Sequence, residues 1–142
     1  MIESKKKIGF TCSCFDLLHA GHVMMLQDAK NQCDLLIVGL QTDPTIDRPN
    51  EKNKPIQSLN ERKVMINSIK FVDEVVIYGA EKELYSYLKE NKPDIRILGS
   101  DYLGKDFTGK DLDIPIYYHN RNHNWSTSSL RKKIFIEEQN QS

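Results

Sequence analysis

The stretch GFTCSCFDLLHAGHVMMLQDAK (Gly9–Lys30) changes its hydrophobic pattern halfway along its length. Its beginning belongs to a short apolar run, Lys7–Cys12, that is typical of a buried strand. Val23–Asn31 instead carries apolar residues at helical spacing, so we expect a helix to begin near Gly21 or His22. A strand that leads directly into a helix is the first half of a βαβ unit, and such units build parallel sheets.

The same alternation of strand and helix continues along the chain. Further strands are predicted at Cys33–Thr42, Val75–Tyr78, Asp94–Ser100 and Ile114–His119, and further helices at Ser58–Lys70, Glu81–Lys92 and Ser126–Glu138. This order predicts a doubly wound α/β domain with a parallel five-stranded sheet, a single domain over residues 1–142 whose tail frays from about residue 138. In such a fold, ligands bind beyond the carboxyl ends of the strands.

Two segments carry further local signals. Asp43–Pro55 contains three prolines and six charged residues, and a polar loop of that length in a compact domain is usually functional or mobile. Ser58 stands three residues before Glu61, which is the spacing of a capping box at a helix start.

Composition excludes several classes of protein. The 142 residues include 20 Lys+Arg and 20 Asp+Glu, so no basic excess indicates nucleic-acid binding. Three cysteines cannot all pair, and no apolar segment has the length of a signal peptide core or a membrane span. We therefore expect a cytoplasmic protein with reduced thiols and no membrane partner.

Three interpretations compete for the polar residues of the opening stretch. Cys12, Cys14, His19 and His22 are four potential zinc ligands within eleven residues. However, the two cysteines lack the usual two-residue gap and no second ligand pair follows, so we predict no metal held by protein side chains. A second interpretation places these residues in the core, which suits Cys12 best because free cysteines are among the most buried residues.

The third interpretation is a phosphate site. His19 and His22 flank Gly21 where a strand turns into a helix. Helix N-terminal amides attract phosphate, and a glycine lets a ligand approach. Imidazoles at that position can donate hydrogen bonds to phosphate oxygens and stabilise charge during nucleotidyl transfer.

Cys14–His22, CFDLLHAGH, resembles the H-x-G-H signature of the cytidylyltransferase-like nucleotidyltransferases, whose fold is a Rossmann-like α/β domain. The resemblance extends over roughly Ile8–Ile134, and its spacing is similar to that of glycerol-3-phosphate cytidylyltransferases. Those enzymes carry a polar, basic loop after the second strand. They also carry an arginine, here Arg121, five residues before a Ser-Thr run that opens the last helix.

The resemblance implies roles for individual residues. It makes His19, His22, Arg121 and a loop lysine, Lys54, the catalytic group. It implies nucleotide contacts for Cys14, Phe15, Asp16, Gly21, His22, Arg62, Arg121, Ser126, Thr127 and Ser128. Acceptor phosphate would be bound by Arg48, Lys54 and Lys70. Hydroxyls and free amides at the start of a helix form an anion site, although Ser126–Ser128 could also be a simple helix cap.

Asp101 follows the fourth predicted strand, at the edge where the sheet order reverses. Its position makes it a candidate for nucleotide recognition. The alternative is a loop aspartate that only shapes its own turn.

Three departures from the pattern leave the substrates open. Ser13 stands where relatives have glycine. Cys14 replaces the threonine of glycerol-3-phosphate enzymes and is similar to heptose-phosphate adenylyltransferases. Lys70 stands where cytidylyltransferases have arginine. None of the three affects the class of reaction that the resemblance implies.

The resemblance thus implies transfer of CMP from CTP, with Mg²⁺ on the triphosphate, to a small phosphorylated polyol or alcohol. Glycerol-3-phosphate is the first choice, and the products would be pyrophosphate and a CDP-activated precursor for cell-envelope or capsule polymers. One alternative is an adenylyltransferase that uses ATP and a sugar phosphate of the heptose type. Another is a non-catalytic module that binds a nucleotide or zinc. A homodimer is implied by the resemblance only.

Overall fold

The computed structural model describes residues 5–141, which form one Rossmann-like α/β domain. The five strands are β1 (Ile8–Ser13), β2 (Leu35–Gln41), β3 (Glu74–Tyr78), β4 (Ile95–Gly99) and β5 (Ile116–His119). The four helices are α1 (Ala20–Asn31), α2 (Leu59–Asn67), α3 (Glu81–Asn91) and α4 (Thr127–Gln141). Three short 3₁₀ turns lie at Pro44–Ile46, Ser100–Tyr102 and Lys110–Leu112.

All strand pairs are parallel, and the sheet order is β3-β2-β1-β4-β5. The predicted doubly wound sheet is therefore confirmed. The chain leaves β1 towards β2 on one side and later returns to β4 on the other. The carboxyl ends of β1 and β4 consequently flank the crevice at which open α/β sheets bind ligands.

Each face of the sheet packs its own hydrophobic cluster. On the face covered by α1 and α2, the cluster includes Leu26, Leu36, Val38, Ile66 and Ile97, all fully buried. On the opposite face, the cluster is made with α3 and includes Phe10, Tyr78, Leu84, Leu88 and Ile114. Burial on both faces explains why the central strands read as continuous apolar runs.

Two helices end three residues away from their predicted bounds. Helix α2 ends at Asn67 instead of Lys70, and the hydroxyl of Ser68 donates to the carbonyl of Val64 at 2.8 Å. Helix α4 continues to Gln141 instead of ending at Glu138, and fraying of the tail stays a prediction.

The predicted capping box at α2 is only half formed. Ser58 Oγ accepts a hydrogen bond from the Glu61 amide at 3.1 Å, as predicted. The Glu61 carboxylate, however, accepts from the side chain of Gln57 at 3.0 Å instead of returning to the cap. No helix within residues 5–141 is both long enough and apolar enough to span a bilayer.

Candidate active site

A cavity of about 600 Å³ opens at the carboxyl ends of the strands, at the crevice between β1 and β4. Its walls come from the segments that follow β1, β2, β4 and β5, which the topology predicts, and from the end of β3 and the start of α3. Of the predicted site residues, the cavity is lined by Cys14, His19, Gly21, His22, Arg48, Asp101, Arg121, Ser126, Thr127 and Ser128. Its size suits a nucleotide, because ligand pockets generally span about 300–1,000 Å³.

The two histidines cap helix α1 with their ring nitrogens. Nδ1 of His19 accepts a hydrogen bond from the Gly21 amide at 3.0 Å, and Nδ1 of His22 accepts one from the His19 amide at 3.1 Å. A backbone N–H can only donate, so each Nδ1 holds a lone pair and each neutral ring carries its proton on Nε2. Two Nε2–H donors therefore stand side by side, with ring centroids 3.9 Å apart.

Both imidazoles are disfavoured as cations. Burial lowers the pKa of His22 to about 3, assisted by the neighbouring His19 and Arg121 and opposed by Asp16. Burial also lowers the pKa of His19, followed in effect by the positive charge of Arg121 and by His123. At neutral pH the histidines of the free protein are thus uncharged donors, and Arg121 supplies positive charge beside them.

Gly21 makes room for imidazole rings. A Cβ at this position would stand 2.8 Å from Cε1 of His123 and 2.9 Å from Cε1 of His19. The glycine therefore lets two histidines pack against the first turn of α1. The sequence interpretation gives Gly21 a different purpose, which is to let a ligand approach the helix.

Asp16 connects the turn between β1 and α1 to the segment that precedes α2. Its carboxylate accepts hydrogen bonds from the amides of Ile56 and Gln57, both at 2.9 Å, and it is buried with 7% exposure. Phe15 is also buried, has a left-handed backbone with φ of 50°, and packs on His22 with 5.5 Å between ring centroids. Neither side chain lines the cavity, and both shape the turn; their contacts with a nucleotide stay a prediction.

Arg62 is another residue predicted to contact the nucleotide. It is 2% exposed and does not line the cavity. Its guanidinium donates to the carbonyls of Gln57, Cys14, Gln41 and Thr42 at 2.6–3.1 Å. With four N–H donors bonded to backbone carbonyls, Arg62 ties together the turns after β1 and β2, and its contact with a nucleotide stays a prediction.

The start of α4 supplies a second helix N-terminus to the cavity. Ser126 Oγ accepts from the Ser129 amide at 3.0 Å, so Ser126 is a helix cap as the alternative interpretation holds. Thr127 donates its hydroxyl to the carbonyl of Asp16 at 3.1 Å, which fixes α4 against the turn after β1. Arg121 is exposed and donates to the carbonyl of Trp125 at 2.9 Å.

The basic residues divide differently from the prediction. Arg48 lines the cavity and lies 3.8 Å from the Glu81 carboxylate, and Lys52 lines the cavity as well. Lys54 does not line it. Lys70 lies beyond the far end of α2 with its Nζ 5.2 Å from the ring centre of Phe71, because α2 runs away from the cavity edge. The structure therefore brings Arg48 and Lys52 to the site and leaves Lys54 and Lys70 outside it.

Asp101 lies at the predicted edge, but its carboxylate folds back over its own turn. A Cβ on Gly99 would stand 2.4 Å from Asp101 Oδ1. Asp101 also lines the cavity, and its part in nucleotide recognition stays a prediction.

Sequence reasoning missed several residues of the cavity wall. Arg96 is 3% exposed, donates to the carbonyl of Thr108 and lies 5.2 Å from the ring centre of Phe107. A charge inside the apolar run of β4 was the available signal for it. His119 likewise ends an apolar strand, whereas His123 and Trp125, whose ring centroids are 5.0 Å apart, follow no pattern.

The zinc interpretation finds no support in the described part of the chain. No group of three His, Cys, Asp or Glu side chains within residues 5–141 could hold a metal ion. The three cysteines form no disulfide, and burial raises the pKa of the Cys12 and Cys14 thiols. Cys12 packs against the cluster around Phe10 and Tyr78, as the core interpretation expects, but it is half-buried and also lines the cavity.

Comparisons with known proteins agree with this geometry. A family model described as cytidylyltransferase-like matches residues 10–134. "Bifunctional protein HldE" of Campylobacter concisus is 37% identical over 132 residues, which are 93% of this chain and 28% of that protein. The protein of the same name from Wolinella succinogenes is 40% identical over 129 residues, 91% of this chain and 27% of that protein. The chain thus spans little more than a quarter of these curated relatives.

Two solved structures share the fold. The crystal structure of the lipopolysaccharide core biosynthesis protein from Thermoplasma volcanium has a TM-score of 0.66 and 29% identity. The match covers 85% of this chain and 100% of that one. Pantothenate synthetase from Thermus thermophilus, at 14% identity and a TM-score of 0.59, covers 89% of this chain and 64% of its own and supports the fold alone.

Proposed function

The chain belongs to the cytidylyltransferase-like family of nucleotidyltransferases, and from this premise we propose that it transfers a nucleoside monophosphate from a triphosphate to a phosphorylated sugar. The observation that carries the proposal is the pair of Nε2–H donors of His19 and His22, held by backbone amides at the start of α1 and joined by Arg121. Fixed donors aimed at developing charge are the usual means by which a site stabilises such a transition state.

The substrates we favour are ATP and a sugar phosphate of the heptose type. Cys14 in the motif resembles heptose-phosphate adenylyltransferases, and relatives named HldE match at 37–40% identity. A protein of lipopolysaccharide core biosynthesis has the same fold at 29% identity. These likenesses support the alternative of the sequence analysis better than its first choice, CTP with glycerol-3-phosphate, and suggest a product used for envelope polysaccharide.

The reaction needs little proton transfer. An anionic oxygen of the acceptor phosphate forms a bond to the α-phosphorus, and the bond from that phosphorus to the α,β-bridging oxygen breaks. Pyrophosphate leaves with the electron pair of the broken bond. The Nε2–H groups of His19 and His22 donate to the oxygens on which charge increases, while Arg121 and the free amides at the start of α4 hold the leaving group.

The acceptor would lie on the α3 side of the cavity. Arg48 and Arg96 line that side together with Glu81 and Tyr78, and Lys52 lines the same cavity. No ion pair within residues 5–141 includes Arg96, although its side chain is almost fully buried. A buried guanidinium without a carboxylate is costly until an anion joins it, so Arg96 favours an acceptor that carries negative charge. The Glu81 carboxylate, which accepts the Thr108 hydroxyl at 2.9 Å, can also accept sugar hydroxyls.

Mg²⁺ would enter as the complex with the triphosphate. The carboxylates that line the cavity, Glu81, Asp101 and Asp106, are not gathered into a metal-binding group. Mg²⁺ retains several waters and binds through substrate phosphates in such sites. Dimerisation remains a prediction from the family resemblance.

The decisive experiment is a matrix of ATP, CTP, GTP and UTP against a panel that includes heptose-1-phosphate and glycerol-3-phosphate, read as pyrophosphate release. We expect ATP with the heptose phosphate to give the highest rate. A matched His22→Ala variant should lose about 10²–10³ in rate while keeping the circular dichroism of the wild type. Exclusive use of CTP with glycerol-3-phosphate would overturn the substrate proposal, and an unaffected His22→Ala rate would overturn the mechanism.

A further inference from the structure

His119 ends β5 and forms part of the cavity wall with 6% exposure. Its Nδ1 lies 2.7 Å from Oδ2 of Asp28 on α1. The same carboxylate accepts the hydroxyl of Tyr117 at 3.1 Å. Because a carboxylate accepts, Nδ1 of His119 carries the proton, and Nε2 of the neutral ring presents a lone pair.

That lone pair has no partner in the described part of the chain, although the Nε2 atom of His119 is buried. Buried polar atoms in folded proteins are almost always hydrogen-bonded, since an unpaired one retains its full desolvation cost. His119 therefore differs from the capping histidines, His19 and His22, in the kind of hydrogen-bonding atom that it offers to a ligand. His19 and His22 present N–H donors to the cavity, whereas His119 presents an acceptor that a ligand N–H or O–H can satisfy.

The position of His119 indicates which part of a nucleotide would reach it. The phosphates are expected at the starts of α1 and α4, and the basic α3 side suits the second anion. The uncharged base is left with the β4–β5 side, where His119 pairs with Gly99 across the two strands.

We propose that Nε2 of His119 accepts a hydrogen bond from the exocyclic amino group of the nucleobase. Adenine and cytosine carry an amino group at this edge, whereas guanine and uracil carry a carbonyl oxygen that would face the lone pair. His119 thereby selects ATP and CTP against GTP and UTP. The proposal rests on the proposed function, because it requires a nucleoside triphosphate in this cavity.

The test is the equilibrium binding of four Mg²⁺–triphosphates, ATP, ITP, CTP and UTP, measured by titration calorimetry. ITP differs from ATP in having a carbonyl in place of the amino group and a proton on the neighbouring N1. We expect ATP to bind about 10- to 100-fold more tightly than ITP, and CTP more tightly than UTP by a similar factor. Equal binding of ATP and ITP to the wild type would overturn the proposal. Tighter binding of ITP and UTP would do the same, because it would mean that the site recognises the carbonyl or its neighbouring N–H and not the amino group.

Two variants separate the acceptor from its surroundings. His119→Phe keeps a planar ring and removes the acceptor, so the preference for ATP over ITP should fall towards one. Tyr117→Phe is the matched control, because it removes the other donor to Asp28 and leaves the His119–Asp28 contact in place. It should keep the preference, and a loss in Tyr117→Phe equal to that in His119→Phe would contradict the assignment.

Pyrophosphate release from the same protein distinguishes this proposal from the proposed function. Release without discrimination between ATP and ITP overturns the role of His119 alone. Discrimination in binding without any release supports His119 and overturns the transferase. Failure of all four triphosphates to bind overturns both.

Discussion

The amide of His19 donates to Nδ1 of His22 at 3.1 Å, and this contact decides what both histidines can do. With Nδ1 occupied as an acceptor, the proton of His22 must lie on Nε2. His19 is held in the same tautomer by the Gly21 amide. Both neutral histidines of the motif therefore carry their proton on Nε2 and act as hydrogen-bond donors at that atom.

The first prediction separates the donor from the cap. In His22→Gln, the side-chain amide can replace Nε2–H, whereas in His22→Asn the amide oxygen can replace Nδ1 but no donor reaches the cavity. We expect the Gln variant to lose about tenfold in pyrophosphate release and the Asn variant about 10²–10³. Steady-state rates at saturating substrate measure this, and a more active Asn variant would contradict the tautomer assignment.

The second prediction concerns Gly21. A Cβ there would stand 2.8 Å from His123 Cε1 and 2.9 Å from His19 Cε1, so Gly21→Ala should displace both rings. Misplaced catalytic groups cost about 10²-fold in rate, whereas alanine inside a helix is favoured over glycine by up to about 1 kcal/mol. We expect lower activity without lower thermal stability. A fall in melting temperature together with full activity would refute this account.

The third prediction concerns the stability that Arg62 provides. Arg62→Met removes four backbone hydrogen bonds and leaves buried carbonyls unpaired, so the free energy of unfolding should fall by about 2–4 kcal/mol in urea titrations. Lys63→Met, at an exposed position of the same helix, is the matched control and should change stability by less than about 0.5 kcal/mol. Similar losses of stability in the two variants would contradict the role of Arg62 in holding the turns after β1 and β2 together.

The fourth prediction concerns acid. The pKa of His22 is lowered from 6.5 to about 3 in the folded protein. Between these two pH values the unfolded chain binds a proton that the folded chain does not. The contribution of His22 to the free energy of unfolding is therefore fully present above pH 6.5 and is lost as the pH falls towards about 3. The contribution of His22 is at most about 1.4 kcal/mol per pH unit. Urea unfolding from pH 7.5 to 4.5 should show a shallower decline for His22→Gln than for the wild type, and parallel curves would contradict it.

The fifth prediction concerns the basic loop. Lys52 lines the cavity and Lys54 does not, although the two are only two residues apart. Lys52→Ala should raise the KM for the acceptor about tenfold, with a smaller change in Lys54→Ala. Arg96→Gln should raise the same KM, because Arg96 lines the α3 side. A larger increase in KM from Lys54→Ala than from Lys52→Ala would contradict the observed placement of the loop, in which Lys52 lines the cavity.

Much of the fold could be predicted because its signals are local. The apolar run of β2 and the Ser58 cap of α2 are written in neighbouring residues, and the alternation of strand and helix leaves few topologies. The motif around His19 and His22 likewise placed the site at the end of β1. Contacts such as Arg62 with Gln41 join distant segments, and no spacing along the chain predicts them.

The sequence by itself determined that the sheet is parallel and doubly wound, at which strand ends the cavity opens, and to which family the chain belongs. Only the tertiary structure decided which polar residues face the cavity. Arg62 and Asp16 turn inward to satisfy backbone groups, whereas Arg96 and His119 become part of its wall. The physical reason is that side-chain direction and burial depend on packing between segments far apart in the chain, and a buried polar group must pair with whatever the fold brings beside it.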